Sequence, residues 1–549
     1  MPTAGSIVVV SGGSAANSLV DVFKQVSAGS PISYIIGISD NGGSTSELIR
    51  VFGGPGIGDI RSKILTIPQK PRVRDLARAD QDDADEAART RLHGRACPGR
   101  LVRLVPEEMD DDERLERLQI KDLLNYRLPA EADAARLEWN AIVEGTHERW
   151  GGIATEKKEL LRAFFILIAA EITKRTRPSS TFNFQLASLG NLFITGCRLF
   201  FGSLESAIFL FRSICSIPEY THVIPALNSN FSHHIAAGLA DGTVITGQNQ
   251  ISHPSEEPPT NSQLAAQNNA STLLAVATQL QGLSTSASAS TSSLSLPLPG
   301  TATPLNPGYS TPVVYVHDHD EVEDANLPGS LPVLRRQNIV FTKEKEEELP
   351  ARIARVWYIN PYGQEIRPPA NPKSLAAIRE AETLVYSIGS LYTSIIPCLI
   401  LRGMGDAIAS SCRHKVLILN GSFDREIGPG TSFTALDFIQ SITHACVESR
   451  GIIAGETGFP ELTAESEYKR YVTHVLYLEG EGVPRVDAPR LKELGIECWR
   501  VLGERKGKGM VFEMGSLQQV LEMIRGKRRS PTQRRSTVVS GRLPPVLDI

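Results

Sequence analysis

Two short stretches of this chain carry residue types that can hold a phosphate. The first is Ser11-Gly12-Gly13-Ser14, which follows the apolar run Ile7-Val8-Val9-Val10; the second is Ser387-Ile388-Gly389-Ser390, which follows Leu384-Val385-Tyr386 and leads into Leu391-Tyr392-Thr393-Ser394. A β-branched strand that ends in Gly and Ser and then opens a helix leaves backbone N–H groups and the positive end of a helix dipole beyond the strand, where an anion is stabilised. Gly12, Gly13 and Gly389 permit close approach of the backbone, and Ser11, Ser14, Ser390 and Thr393 add hydroxyls. Strands that run parallel in an open sheet put such turns on one edge, so the two are expected to face one crevice.

Two further clusters belong with the first turn. Asp40-Asn41-Gly42-Gly43-Ser44-Thr45-Ser46 closes the next apolar run, Ile32 to Ser39. An acid about 20 to 30 residues after a glycine turn falls where dinucleotide folds hold a ribose hydroxyl. Asp40 is equally suited to holding Mg²⁺ against a phosphate. In Pro55-Gly56-Ile57-Gly58-Asp59-Ile60-Arg61, Asp59 is a candidate helix cap or ligand contact and Arg61 a candidate anion partner.

The elements needed to position these residues follow from hydrophobic periodicity. Residues 6–67 alternate strand, helix, strand and helix, the opening of a parallel α/β sheet, and strands recur at 383–387, 415–420 and 471–478 with helices such as 373–381 and 433–449 between them. Helices are expected over 131–175 and 186–215, and short strands with turns over 220–251. Two blocks, 1–68 and 350–525, therefore build one domain, with 131–253 as its helical and hairpin part. Residues 69–130 are expected to be a charged insertion with the run Asp110-Asp111-Asp112-Glu113, and 254–349 a disordered Ser/Thr/Pro-rich insertion. His317-Asp318-His319-Asp320 has metal-like residue types in an unsupported polar stretch. Residues 526–549 form a basic tail, and Arg525 is read as its first charge.

Composition narrows the class. A net charge of −4 gives no global basic field for nucleic acid. Seven cysteines without a C-x-x-C pair fit reduced thiols rather than a disulfide framework or a metal site. The N-terminus has no basic, cleavable leader, and the most apolar helix, Leu160 to Ile172, contains Arg162 and Glu171 and is shorter than the roughly 20 residues that cross a bilayer. A cytoplasmic protein without a membrane partner is expected, with a nuclear destination through the basic tail as the alternative.

Five motifs in order resemble the 2-phospho-L-lactate transferase family: Val9 to Ala15, Ser39 to Ser44, Gly58-Asp59-Ile60-Arg61, Leu189-Gly190-Asn191-Leu192-Phe193, and Gly389 to Ile395. Asp241-Gly242, Gly247 to Ile251, Ala370-Asn371-Pro372 and Val416 to Asn420 are similar as well. The resemblance covers 1–68, 180–253 and 350–450. It implies a doubly wound, Rossmann-like α/β fold with mostly parallel strands and a site at their C-terminal edge. The family has two kinds of member: transferases that move a phospholactyl group from a nucleoside-diphosphate-activated donor to an alcohol with Mg²⁺, and regulators that bind a UDP-sugar. Asn41 stands where members commonly carry a second acid, which removes one possible metal ligand. On this resemblance Asp40 and Asn191 take the catalytic roles, with Asp40 on Mg²⁺. Gly12, Gly13, Ser14, Asn41, Gly42, Gly43, Ser44, Asp59, Arg61, Gly389, Ser390, Tyr392 and Thr393 line the nucleotide. Asn191 has helix capping as its alternative, and Tyr392 is either a platform for a base or a core tyrosine. The expected partner is a nucleoside-diphosphate-type small molecule, with a homodimer left open.

Overall fold

Apolar runs without alternation, such as Ile7-Val8-Val9-Val10 and Ile32-Ser33-Tyr34-Ile35-Ile36, suit strands covered on both faces, which is the condition of a parallel sheet flanked by helices. The computed structural model describes residues 5–39, 42, 44–66, 111–177, 181–252, 331, 334, 348–430, 432–451, 464–507 and 509–526. All of these belong to one unit, built from Met1–Ser255 and Asp324–Ile549; the second unit, Glu256–Glu323, lies outside the described residues. So do most of the expected Ser/Thr/Pro-rich insertion, the segment 317–320 and the tail beyond 526.

The strands are Ile7–Val10 (β1), Ile32–Ile36 (β2), Thr221–Pro225 (β3), His234–Leu239 (β4), Val244–Thr246 (β5), Ile353–Ile359 (β6) and Glu365–Ile366 (β7). They continue with Thr383–Tyr386 (β8), His414–Ile418 (β9), His474–Tyr477 (β10), Glu497–Arg500 (β11), Gly503–Lys506 (β12) and Gly509–Phe512 (β13). Seven of them form one sheet in the order β11-β10-β9-β8-β1-β2-β3, and every neighbouring pair is parallel. From β1 the chain builds outward through β2 to β3, then returns to β8 on the other side of β1 and builds outward again. The strand order therefore reverses between β1 and β8, and an open α/β sheet forms its crevice at such a point. The fold is the expected Rossmann-like α/β arrangement. A second, antiparallel sheet, β5-β4-β6-β7, follows β3 and precedes β8.

Helices close both sheet faces. Leu189–Phe201 is the centre of the helical part, with Leu189 through Arg198 all buried, and it packs against Asp111–Asn125, Thr155–Arg175 and Leu204–Ile214. Phe164, Phe165, Phe193 and Phe211 meet edge-on or tilted at centroid distances of 5.5 to 6.0 Å, geometries that add to their area burial. No helix among the described residues is long and apolar enough to cross a membrane.

Two parts of the sequence reading are corrected here. Asp111–Asn125 lies in the segment expected as a charged insertion, yet Ile120, Leu123 and Leu124 are buried in the core. The acidic run at its start hides an apolar stripe with helical spacing. Arg525 is not the first residue of a free tail. Its buried guanidinium donates to the carbonyls of Val26 (2.6 Å) and Gly5, and lies 3.5 Å from the Glu382 carboxylate, fixing the end of the last helix, Met514–Ile524, to the start of β1.

Candidate functional site

At the reversal point the two glycine-serine turns are in direct contact. Val10 pairs with Tyr386, so Ser11 and Ser387 are the next residues on adjacent strands. The amide of Ser387 donates to Val10 O (3.0 Å) and that of Ser11 to Ile35 O (3.1 Å). Both hydroxyls are buried, and neither has a hydrogen-bond partner among the described residues. Buried hydroxyls are ordinarily paired, so two orphans side by side at a strand-end crevice mark a place for an external polar group.

The first turn owes its glycines to packing. A Cβ on Gly12 would lie 2.1 Å from Ser394 Oγ, and one on Gly13 2.1 Å from Asp59 Oδ1. Gly12 thus lets the β1 turn seat against the β8 turn, and Gly13 lets Asp59 approach. The amides of Gly12 and Gly13 make no hydrogen bond among the described residues. The helix that follows, Ser14–Asn17, is a single turn, so the dipole expected there is small and the donors are local N–H groups. The Ser14 side chain lies outside the described set, as do Asp40, Asn41 and Gly43.

Asp59 sits in the first turn of Gly58–Thr66. One turn on, Lys63 is fully buried with its ammonium 4.9 Å from the centre of the Tyr34 ring and no hydrogen-bond partner among the described residues. Burial lowers its pKa to about 7, against the opposing pull of Asp59. Arg61, expected on an anion, turns toward the helical layer. It donates to Asn125 Oδ1 (3.2 Å), and its Cδ fills the space a side chain on Gly190 would take.

Ser44 opens the helix Ser44–Phe52 and accepts from Asn191 Nδ2 (3.1 Å) and the Ser188 amide (3.3 Å). The carbonyl of Gly42 accepts from Thr45. Asn191 is not the cap of Leu189–Phe201; Ser188 holds that position. The Asn191 side chain bridges to Ser44 and Thr45, and its Oδ1 is buried without a partner among the described residues.

The second turn is built differently. Gly389 has φ of +137°, a conformation that favours glycine, and is clamped by Asn420: its N–H donates to Oδ1 and its carbonyl accepts from Nδ2, both at 2.9 Å. Ser390 caps the helical segment Leu391–Ile395, which runs on into Ile396–Leu399. Two of its amide donors are already used. The N–H groups of Tyr392 and Thr393 both donate to Glu426 Oε2 at 3.0 Å, and the hydroxyls of Thr393 and Ser252 donate to Oε1. Glu426 is buried, and burial pushes its pKa up. Beside it Asp424, hydrogen-bonded by Ser390, is raised to about 7 by burial and then by the Glu426 charge.

Two expectations are therefore corrected. Ser390 and Thr393 do not complete an open anion pocket, because internal carboxylates take both of their hydroxyls and the amides of Tyr392 and Thr393. Tyr392 is a core tyrosine: its ring is buried, its hydroxyl pairs with Ser441 (3.0 Å), and Phe433 packs on it edge-on. Ser11 is a hydroxyl donor expected from the sequence, and Ser387, Ser394 and Asn420 fall within its motif stretches without a role of their own; Ser252, Asp424 and Glu426 carry no sequence expectation. Asp424-Arg425-Glu426 carried one usable signal, a pair of acids in a loop after a strand on the ligand edge. The short helix Gln248–Ser252 ties the edge together, with Gln248 on Ser39 (3.0 Å) and Ser252 on Glu426 (2.9 Å).

Comparison with known proteins places this geometry in context. The model of 2-phospho-L-lactate transferase CofD matches residues 7–501. The uncharacterized protein YNL011C of Saccharomyces cerevisiae is 34% identical over 525 residues, 94% of this chain and 99% of that protein. The gluconeogenesis factor of Halalkalibacterium halodurans is 39% identical over 74 residues, 14% of this chain and 22% of that protein. Among solved structures, protein BH3568 from Bacillus halodurans aligns with a TM-score of 0.48 at 15% identity, over 94% of this chain and 99% of that one.

Proposed function

Because the chain belongs to the 2-phospho-L-lactate transferase family, matched over residues 7–501, we propose that it binds a nucleoside-diphosphate-type ligand where β1 and β8 diverge and transfers a phosphoester-linked group from it to an alcohol. The observation that carries this reading is the pair of hydroxyls, Ser11 and Ser387, beside the amides of Gly12 and Gly13 at the reversal of strand order, none of which has a partner among the described residues. A phosphate placed there receives donors that nothing else among the described residues uses.

Such a transfer needs little covalent chemistry from the protein. The enzyme holds the diphosphate, stabilises the charge that develops as the bond between the two phosphates breaks, and aims the acceptor hydroxyl. Gly12, Gly13, Ser11 and Ser387 hold the phosphate, and Asn191 offers its unpaired Oδ1 to an acceptor hydroxyl or a sugar.

Among the described residues no group of three or more His, Cys, Asp or Glu side chains is arranged for a metal. Mg²⁺ commonly takes one or two carboxylates and fills its shell with water and substrate phosphate, so hard oxygen donors such as Asp59 and Asn191 Oδ1 fit it. Asp40 would hold it on this reading, and the ion would supply charge neutralisation at the phosphates.

A second reading is a non-catalytic UDP-sugar- or nucleotide-binding regulator, favoured by Asn41 in place of an acid and by the local identity to a gluconeogenesis factor. Calorimetric titration with UDP and GDP tests the binding they share. No binding at millimolar ligand removes both. Release of nucleoside monophosphate from an activated donor in the presence of an alcohol then separates transferase from regulator.

A further inference from the structure

The two turns of the crevice offer very different reception to an anion. On the β1 side the amides of Gly12 and Gly13 are unpaired among the described residues. On the β8 side the amides of Tyr392 and Thr393, at the helical start, are occupied by the side chain of Glu426, 33 residues beyond Thr393. The Glu426 carboxylate accepts two N–H bonds at 3.0 Å on one oxygen and two hydroxyls on the other, the donor set that a bound phosphate oxygen would take. It is buried, so exchange with solvent anions requires the loop Arg425–Ile427 to move. Asp424 stands next to it with Ser390 on its carboxylate, so the Ser390 hydroxyl is taken as well.

The geometry points to Glu426 as the residue that sets the number of anionic groups the crevice accepts: it denies the Tyr392 and Thr393 amides of the β8 turn to phosphate and confines a ligand's phosphate to the β1 turn. The inference rests on the proposed function only for the β1 turn; the closure of the β8 turn stands on its own hydrogen bonds. It also assigns work to Ser252. That residue ends the last described helix before the second unit and donates to the other oxygen of the same carboxylate, Oε1, so three separate segments meet there, Gln248–Ser252, Leu391–Ile395 and Arg425–Ile427.

The test is the number of inorganic phosphate ions bound per chain, measured by equilibrium dialysis on the full-length protein. The wild-type chain is expected to bind one and Glu426→Ala two, because truncation exposes the amides of Tyr392 and Thr393. Glu426→Gln keeps an oxygen on those amides and is expected to stay at one. Two ions on the wild type, or an unchanged number on a cooperatively folding Glu426→Ala, overturns the inference. Zero on the wild type rising to one on the variant supports it while removing the β1 turn from the proposed function; zero on both removes the two together. Hydrogen exchange on the wild type gives the same answer if Glu426→Ala does not fold. Saturating phosphate is expected to leave the Tyr392 and Thr393 amides unchanged, and altered exchange there overturns the closure.

Discussion

The β1 and β8 turns begin from nearly the same sequence, an apolar strand followed by serine, glycine and a helical start, and they finish in opposite states. The β1 turn keeps its amides unpaired among the described residues and spends its glycines on contact: Gly12 against Ser394 and Gly13 against Asp59. The β8 turn spends Gly389 on a backbone conformation, locks it with Asn420, and gives the amides of Tyr392 and Thr393 to Glu426. Residue type at a strand end therefore specifies that donors will exist, whereas the tertiary neighbours decide whether a ligand or the protein takes them. A glycine-rich turn keeps amides for an anion only where no carboxylate of its own chain accepts from them.

The strongest way to break the comparison is to force the turns apart. A methyl group on Gly12 meets Ser394 Oγ at 2.1 Å and Cβ at 2.4 Å, so Gly12→Ala is expected to destabilise by about 3 kcal/mol, the upper end for overpacking. Removing the obstacle in Gly12→Ala/Ser394→Gly should recover most of this, leaving about 1 kcal/mol for glycine in a helical segment. Urea unfolding of the two single variants and the double measures it. A double variant no more stable than Gly12→Ala would show that the turns do not press on one another. Gly13→Asp places its carboxylate against Asp59 and is expected to lose stability as well as binding.

Next in size is the carboxylate that fills the β8 turn. Glu426→Ala leaves two amides and two hydroxyls without their acceptor, each a penalty of about 1–3 kcal/mol when buried, offset by release from burying a charge. A net loss of about 2 kcal/mol is expected, and less than half of that for Glu426→Gln. Equal losses in the two variants would mean that the negative charge, and not occupation of the donors, holds the turn.

How much of this was legible depends on the range of the interaction. The strands β1, β2 and β8 announce themselves as unbroken β-branched or aromatic runs, because both faces of a parallel sheet are covered. The reversal between β1 and β8 follows from strand recurrence in two blocks. The glycines at 12, 13 and 389 were legible as turns, but the reason for each was not: Gly12 is needed because of Ser394, and nothing in Ser11-Gly12-Gly13-Ser14 says so. Glu426 was hidden for the same cause, since Asp424-Arg425-Glu426 has the composition of a solvated loop and is buried only once residues 391–395 fold against it. The helix Asp111–Asn125 is masked by its charged composition, although Ile120, Leu123 and Leu124 form a stripe with helical spacing inside it.

A pH series sharpens the contrast at about 1–2 kcal/mol. Burial and the neighbouring Glu426 raise Asp424 to about 7 from 3.8, so between those values the folded chain binds more protons than the unfolded one and stability falls as pH rises. Lys63, on the β1 side, is lowered by burial to about 7 from 10.5. Between those values the unfolded chain binds more protons, and stability rises with pH. The two sides thus give opposite slopes that meet near neutral pH. Asp424→Asn is expected to flatten the acidic limb and Lys63→Met the basic one, read from urea midpoints at pH 5, 7 and 9. A single variant that flattens both limbs would show that the two sides titrate as one group.

The smallest effect expected is at Ser390, and it discriminates most finely. Its hydroxyl donates to Asp424 and favours the ionised form, so Ser390→Ala should raise the Asp424 pKa further and cost about 0.5–1 kcal/mol at alkaline pH, with less lost where Asp424 is protonated. The stability loss should therefore grow between pH 5 and pH 8. Phosphate binding should stay the same, because Ser390 faces a carboxylate and the ligand's phosphate lies at the β1 turn. If Ser390→Ala weakened phosphate binding tenfold or more while its stability penalty showed no pH dependence, the hydroxyl would be serving a ligand instead of Asp424. The β8 turn would then be a second anion cradle, and the difference between the two turns would be one of degree.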